Sequence, residues 1–307
     1  MFDQDDPRSA LSAPTQTPLI GVPVPPECVI LADAAPRREP SGQKSWYVRG
    51  QNFVTQYTRL REGETIGRPD QPDEYMVLLP DPDTAVRITT ADGTAEIHGG
   101  TLLIVPPGRS QITALTPVAL TSLYSAVSDD LVALASNVNS FLRPRPDVAP
   151  FAPWPNPPGG FRLRTYSLDV PDQPGRFGRI WRCTTLMINV LPLQQGPRDP
   201  RRLSPHAHDD FEQASIGLAG EFVHHLRWPW SPDRTVWRND EHLHCPSPSI
   251  TVIPPTAIHT TEAVGLGVHQ LVDLFSPPRP DFSGRPGWVL NADEYPAPND
   301  IDPPLGD

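Results

Sequence analysis

Forty-two of the 307 residues are proline, and this excess limits what the chain can fold into more than any other feature. Ordinary usage is about 5%. Proline has no backbone N–H to donate and clashes inside helices, and sheets accept it mainly at edges and strand ends. The prolines cluster in "PTQTPLIGVPVPPE", "RPRPDVAPFAPWPNPPGG", "PWSPDR" and "SPPRPDF". Between them lie short runs rich in Val, Ile, Thr and aromatics, such as "EYMVLLP", "AVRITT", "TLLIVPP", "TTLMINVLPL" and "SITVIPP". Such runs, bounded by Gly, Pro or Asp and recurring every 8–12 residues or so, predict an all-β chain of sandwich or barrel type. One helix is expected in "SDDLVALASNVNSFL", where Ser128 precedes two acids and Leu131, Leu134, Val138 and Phe141 follow helical spacing.

The strand runs fall into two halves of similar length, which suggests an internal duplication. The expected organisation is a proline-rich arm over 1–26, a first half over 27–142, a proline-rich linker over 143–160 and a second half with its tail over 161–307. The acidic, proline-rich end is expected to wrap over the second half and then fray.

Thirty-six acids against 25 Lys and Arg give a formal charge of -11, which argues against nucleic acid or an anionic membrane as the main partner. Three scattered cysteines, Cys28, Cys183 and Cys245, make no disulfide framework. The N-terminus carries acids where a signal peptide needs bases, and no apolar run approaches the roughly 20 residues of a membrane span. The expectation is a soluble, cytoplasmic protein.

The chemistry concentrates in "SPHAHDDFEQASIGLAG", residues 204–220. His206 and His208 share one face of an extended segment and can grip one ion. With nine histidines in the chain, chance supplies roughly 0.3 such pairs, and His242 and His244 form another, so the pair alone carries little. Glu212 follows, and an unbroken strand would carry it about 13 Å from His208. The chain must therefore turn near Asp209–Asp210 and bring Glu212 back on a neighbouring strand. In "SITVIPPTAIHTTEA" an apolar strand and a Pro-Pro turn lead to His259, which the turn aims at the other three. Three imidazoles and a carboxylate suit a divalent transition metal with positions open to water, O2 or substrate.

Around this set, "GEFVHHLRWPWSPDRTVWRNDEHLHCPSPS" offers His224, His225 and Arg227. One of the two histidines faces the interior by alternation, as a general base or as a donor to a ligand. Arg227 is a candidate for binding a substrate carboxylate. The run "VHQLVDLF" puts His269, Leu271 and Asp273 on one face, so Asp273 is a candidate to orient a histidine or act in catalysis. The bland reading of each is a satisfied structural or surface group.

The constellation resembles the cupin superfamily, whose motifs read G-x5-H-x-H-x3,4-E-x6-G and G-x5-P-x-G-x2-H-x3-N. His206, His208, Glu212 and His259 fall on the four ligands, and Pro254 on the motif proline. Gly220 sits one residue late, Thr256 and Pro248 replace motif glycines, and neither Glu262 nor Ala263 supplies the asparagine. In the first half, "GTLLIVPPGRSQ" fits the second motif, with Gln111 at the histidine position and Glu74 near the glutamate position. The resemblance implies two jelly-roll barrels in tandem, the first without its metal and the second metal-binding, and a homodimer. The function it implies is metal-dependent catalysis on a small-molecule substrate. An Fe(II) oxygenase of a small organic acid or aromatic leads. A non-redox isomerase, lyase or decarboxylase using Zn, Mn or Ni is the alternative, and a metal-containing binding or sensor module a further one.

Overall fold

The computed structural model describes residues 7–10, 22–38 and 42–299. Most of the expected 1–26 arm and the last eight residues of the tail lie outside the described residues.

Each half is a pair of antiparallel sheets closed over an interior. In the first half a seven-stranded sheet runs, in spatial order, through Arg164–Ser167, Thr101–Val105, Tyr75–Leu79, Val118–Ser125, Phe53–Leu60, Lys44–Arg49 and Arg37–Arg38. It faces a four-stranded sheet of Thr65–Gln71, Gly108–Ala114, Ala85–Thr90 and Gly93–His98. In the second half Glu27–Ile30, Ser249–Ile253, Gln213–Ala219, Val268–Phe275, Met187–Val190 and Ile180–Arg182 form the large sheet, with Gln194–Gln195 on its flank. It faces three strands, Glu241–Pro246, Glu221–Arg227 and Ile258–Val264. This is the expected all-β architecture of two jelly-roll barrels.

Burial explains why some strands alternate and others do not. Ala85–Thr90 buries Val86 and Ile88 and exposes Arg87 and Thr89, because its sheet has one wet face. Tyr75–Leu79 and Ser249–Ile253 are buried at every residue. Their sheets are sandwiched between a barrel interior and the other half. Met76, Leu78 and Ile104 from one large sheet and Ile188, Ile216 and Val252 from the other belong to one apolar cluster.

The halves exchange strands. Glu27–Ile30, from the start of the expected first half, pairs with Ser249–Ile253. Arg164–Ser167, from the second, pairs with Thr101–Val105. Each exchange covers a sheet edge that would otherwise offer unpaired N–H and C=O groups. It also brings Cys28 and Cys245 together, Sγ to Sγ 2.6 Å, although the sequence scatters them.

The expected helix is cut short. Only Asp129–Val132 is α-helical, and Val138–Phe141 is a separate 3-10 turn. The Ser128 hydroxyl accepts from Gln71 Nε2 at 3.0 Å instead of capping the helix. The Asn137 carboxamide accepts from Arg49 N and donates to Arg49 O, both at 2.9 Å, which holds the chain out of helical register. The expected linker lies against the second half, with Ala149 N donating to Asp210 O and Trp154 N to Thr184 O.

Candidate metal centre

The second barrel's interior brings three histidines together. His206 and His259 bridge two extended segments, His206 N donating to His259 O at 3.0 Å and His259 N to His206 O at 2.7 Å. Asp209 and Asp210 lie in a bend, and the strand Gln213–Ala219 starts beyond it. Thr256 N donates to His208 O at 2.6 Å, tying the turn before His259 to the histidine pair. The ligand nitrogens of His206, His208 and His259 all lie within 4.8 Å of one another.

Their surroundings suit a cation. Nδ1 of His206 donates to Ser204 O and Nδ1 of His259 to Ala257 O, both at 2.9 Å. On His259 this tautomer leaves an unprotonated Nε2, which is buried without any partner. An orphaned buried lone pair is costly unless something occupies it. Burial, reinforced by Arg8 and Arg279, pushes His259 down to about 4 despite its bond to Ala257. Burial likewise holds His206 and His208 well below the usual imidazole range, so all three are neutral, as metal ligation requires.

Glu212, the expected fourth ligand, is not in this cluster. It is buried, but its Oε2 accepts from Gln51 N at 2.5 Å and its Oε1 lies 3.3 Å from Arg145 Nη1. The physical reason is strand parity: neighbours point to opposite faces, and the strand begins at residue 213. Gln213 takes the inward position. Its Oε1 accepts from His208 Nε2, and its Nε2 donates to Ser215 Oγ and Asp273 Oδ1, all at 2.9 Å. The sequence held a signal for this. Gly220 is one residue late when counted from Glu212 and in step when counted from Gln213.

The remaining candidates separate by face. The Val268–Phe275 strand turns His269, Leu271 and Asp273 into a cavity of about 570 Å³ that His206, His259 and Gln213 also line. Asp273 accepts from Ser215 and Gln213, and burial outweighs those bonds to push its carboxyl up to about 6. His224 is buried on the inner face, 2.9 Å from Thr261 Oγ1, and burial pushes it down to about 3. His225 and Arg227 do not line the cavity. His225 lies on the outer face with His242 and Glu262, and Arg227 is an exposed partner of Asp240. Alternation along Glu221–Arg227 dictates both placements.

Sequence reasoning missed Arg8 and Arg198, which line the same cavity. Arg8 donates to Ser204 Oγ at 2.7 Å and Arg198 to the same oxygen at 2.9 Å. Arg8 lies 196 residues from Ser204 in sequence, whereas Arg198 precedes it by only 6 but carries no motif signal of its own. Arg279, also missed, is buried among Phe211, Phe275 and Phe282 and paired with Asp281.

This architecture matches solved structures. A Lactobacillus farciminis oxalate decarboxylase in a formate complex aligns with a TM-score of 0.54 at 13% identity, over 86% of this chain and 88% of that one. A variant of Bacillus subtilis oxalate decarboxylase aligns at 0.54 and 14% identity, over 94% and 88%. AerE from Microcystis aeruginosa aligns at 0.52 and 8% identity, over 82% and 97%. No family model matches the sequence, and neither does any curated protein. At these identities the likeness is one of fold, two jelly-roll barrels in tandem. Among the described residues, no helix is long and apolar enough to cross a membrane.

Proposed function

We propose that this chain is a metal-dependent cupin enzyme that acts on a small organic acid in its second barrel. The observation that carries this reading is the cluster of three neutral imidazoles opening onto the cavity that Arg8, Arg198 and Asp273 line. His206, His208 and His259 would hold a divalent transition metal, with Gln213 beside them in place of the expected glutamate. Neutral ligands leave both charges of such an ion uncompensated, and with the two arginines they favour an anionic substrate. Fe(II) is the preferred ion, and when bound it would supply oxygen chemistry at its open positions. Asp273 would hold or accept a proton near neutral pH, and His269 and Thr261 would line the substrate's flank. The first barrel is read as metal-free, because its sequence segment contains only His98, and His98 is exposed.

Two observations favour a second reading, a non-redox lyase or decarboxylase. One is Asp273 in the cavity, whose carboxyl burial pushes up to about 6. The other is the fold shared with oxalate decarboxylases.

The test is elemental analysis of protein purified without an affinity tag or added metal, with His259→Ala alongside. About one iron per chain, lost in the variant, together with oxygen uptake on a panel of small acids, supports the oxygenase. Zinc, manganese or nickel with oxygen-independent turnover supports the second reading. No metal in either protein refutes both.

A further inference from the structure

The first barrel has its own cavity, of about 320 Å³, with Tyr47, Gln56, Arg68, Tyr75, Tyr124 and Asp130 on its walls. Strand pairing places it where the metal centre sits in the second barrel. There, His206 pairs with His259, and Gln213 opens a strand flanked by Ser249–Ile253 and Val268–Phe275. In the first barrel, Arg68 pairs with Ser110, and Tyr75 opens a strand flanked by Thr101–Val105 and Val118–Ser125. Arg68 therefore stands in the place of His206, Ser110 in that of His259 and Tyr75 in that of Gln213. The sequence pointed instead to Gln111. A register shift between Gly108 and Ser110 leaves Ser110 inward, 2.9 Å from Tyr75 Oη, and Gln111 exposed.

We propose that this cavity is a binding site for a small organic carboxylate, in which the Arg68 guanidinium does the work of the missing metal and Asp130 occupies the site at rest. Arg68 is anchored from behind, its Nε donating to Gln71 Oε1 at 2.7 Å. Its two terminal nitrogens face the Asp130 carboxylate at 2.5 and 2.9 Å, the forked geometry that fits any carboxylate. The Arg68 side chain is 9% exposed and that of Asp130 62%. The cation is thus fixed and the anion is free to swing into water, so an incoming carboxylate can replace Asp130 without leaving a buried charge unpaired.

The wall behind is polar and aromatic. Gln56 Nε2 donates to Tyr47 Oη at 2.9 Å and Tyr124 Oη to Gln56 Oε1 at 3.2 Å. Tyr75 and Tyr124 stack at 4.8 Å. This site is independent of whether the second barrel holds a metal.

Calorimetric titration of the full-length protein with acetate, oxalate, malonate and benzoate at fixed ionic strength, with inorganic phosphate as the contrasting anion, tests the assignment. His259→Ala in EDTA is run beside wild type, so that binding at the metal centre does not count. At least one carboxylate is expected to bind both proteins equally, and Arg68→Gln to abolish that binding. Asp130→Asn removes the resident competitor. If that competitor holds the site most of the time, binding should tighten about tenfold. Unchanged binding in Arg68→Gln, no gain in Asp130→Asn, or phosphate binding tighter than every carboxylate would each overturn the proposal. If Arg68→Gln does not fold, the Asp130→Asn result decides.

Discussion

At the scale of single residues, the positions that break the motif are the informative ones. Thr256 stands where the motif has glycine, and its φ of 64° is left-handed. A β-branched side chain is strained there. Thr256→Gly relieves that strain at the price of a freer unfolded chain, so a net stabilisation of up to about 1 kcal/mol is expected. A fall in the urea midpoint would refute it. Glu212 tests a different balance. Its bond from Gln51 N and the nearby Arg145 favour the charged form, yet burial wins and pushes the carboxyl up to about 7 from an ordinary 4.5. The folded protein then keeps a proton that the unfolded chain gives up. This contribution is complete below pH 4.5, is lost as pH rises through 7, and is on the order of 3 kcal/mol at most. Glu212→Gln keeps the acceptor for Gln51 N, so it should flatten stability against pH between those limits. An unchanged profile in thermal unfolding would mean that the glutamate is ionised throughout.

At the scale of elements, Glu212 has a counterpart that accounts for its placement. Glu74 immediately precedes the strand Tyr75–Leu79, as Glu212 precedes Gln213–Ala219. Glu74 accepts from Thr184 N at 3.3 Å, in the loop between Ile180–Arg182 and Met187–Val190 of the other half. Glu212 accepts from Gln51 N in the matching loop between Lys44–Arg49 and Phe53–Leu60. The two glutamates clasp the halves reciprocally, as an internal duplication would leave them. Tyr295 Oη completes one clasp, donating to Glu74 Oε1 at 2.6 Å. Tyr295→Phe leaves a buried carboxyl short of a donor and should cost about 1–3 kcal/mol. An unaltered melting temperature would show that the clasp contributes nothing.

At the scale of the whole molecule, the exchanged strands and the shared apolar cluster make the halves one cooperative unit. Chemical denaturation should give a single transition by far-UV dichroism and by tryptophan fluorescence. Residues 27–142 alone would lack the strand Arg164–Ser167 and bare the sheet face carrying Met76 and Ile104, so they should not give a folded monomer. Two separated transitions, or a stable isolated half, would contradict this.

Local physics alone reveals a good part of the protein. Proline spacing and short β-branched runs fix an all-β chain in two halves, because both act within a few residues. His206, His208 and His259 were legible for the same reason: a shared strand face and a Pro-Pro turn are local devices. Tertiary structure decided which neighbour of a pair faces inward. Gln213 rather than Glu212, Ser110 rather than Gln111 and His224 rather than His225 all depend on where a strand begins or bulges, and one residue of register inverts every face. It also decided what distance in sequence conceals. Arg8 reaches the cavity beside the three histidines, Arg68 meets Asp130, and the strand at Glu27 completes the opposite barrel, through contacts that exist only once the chain has closed on itself.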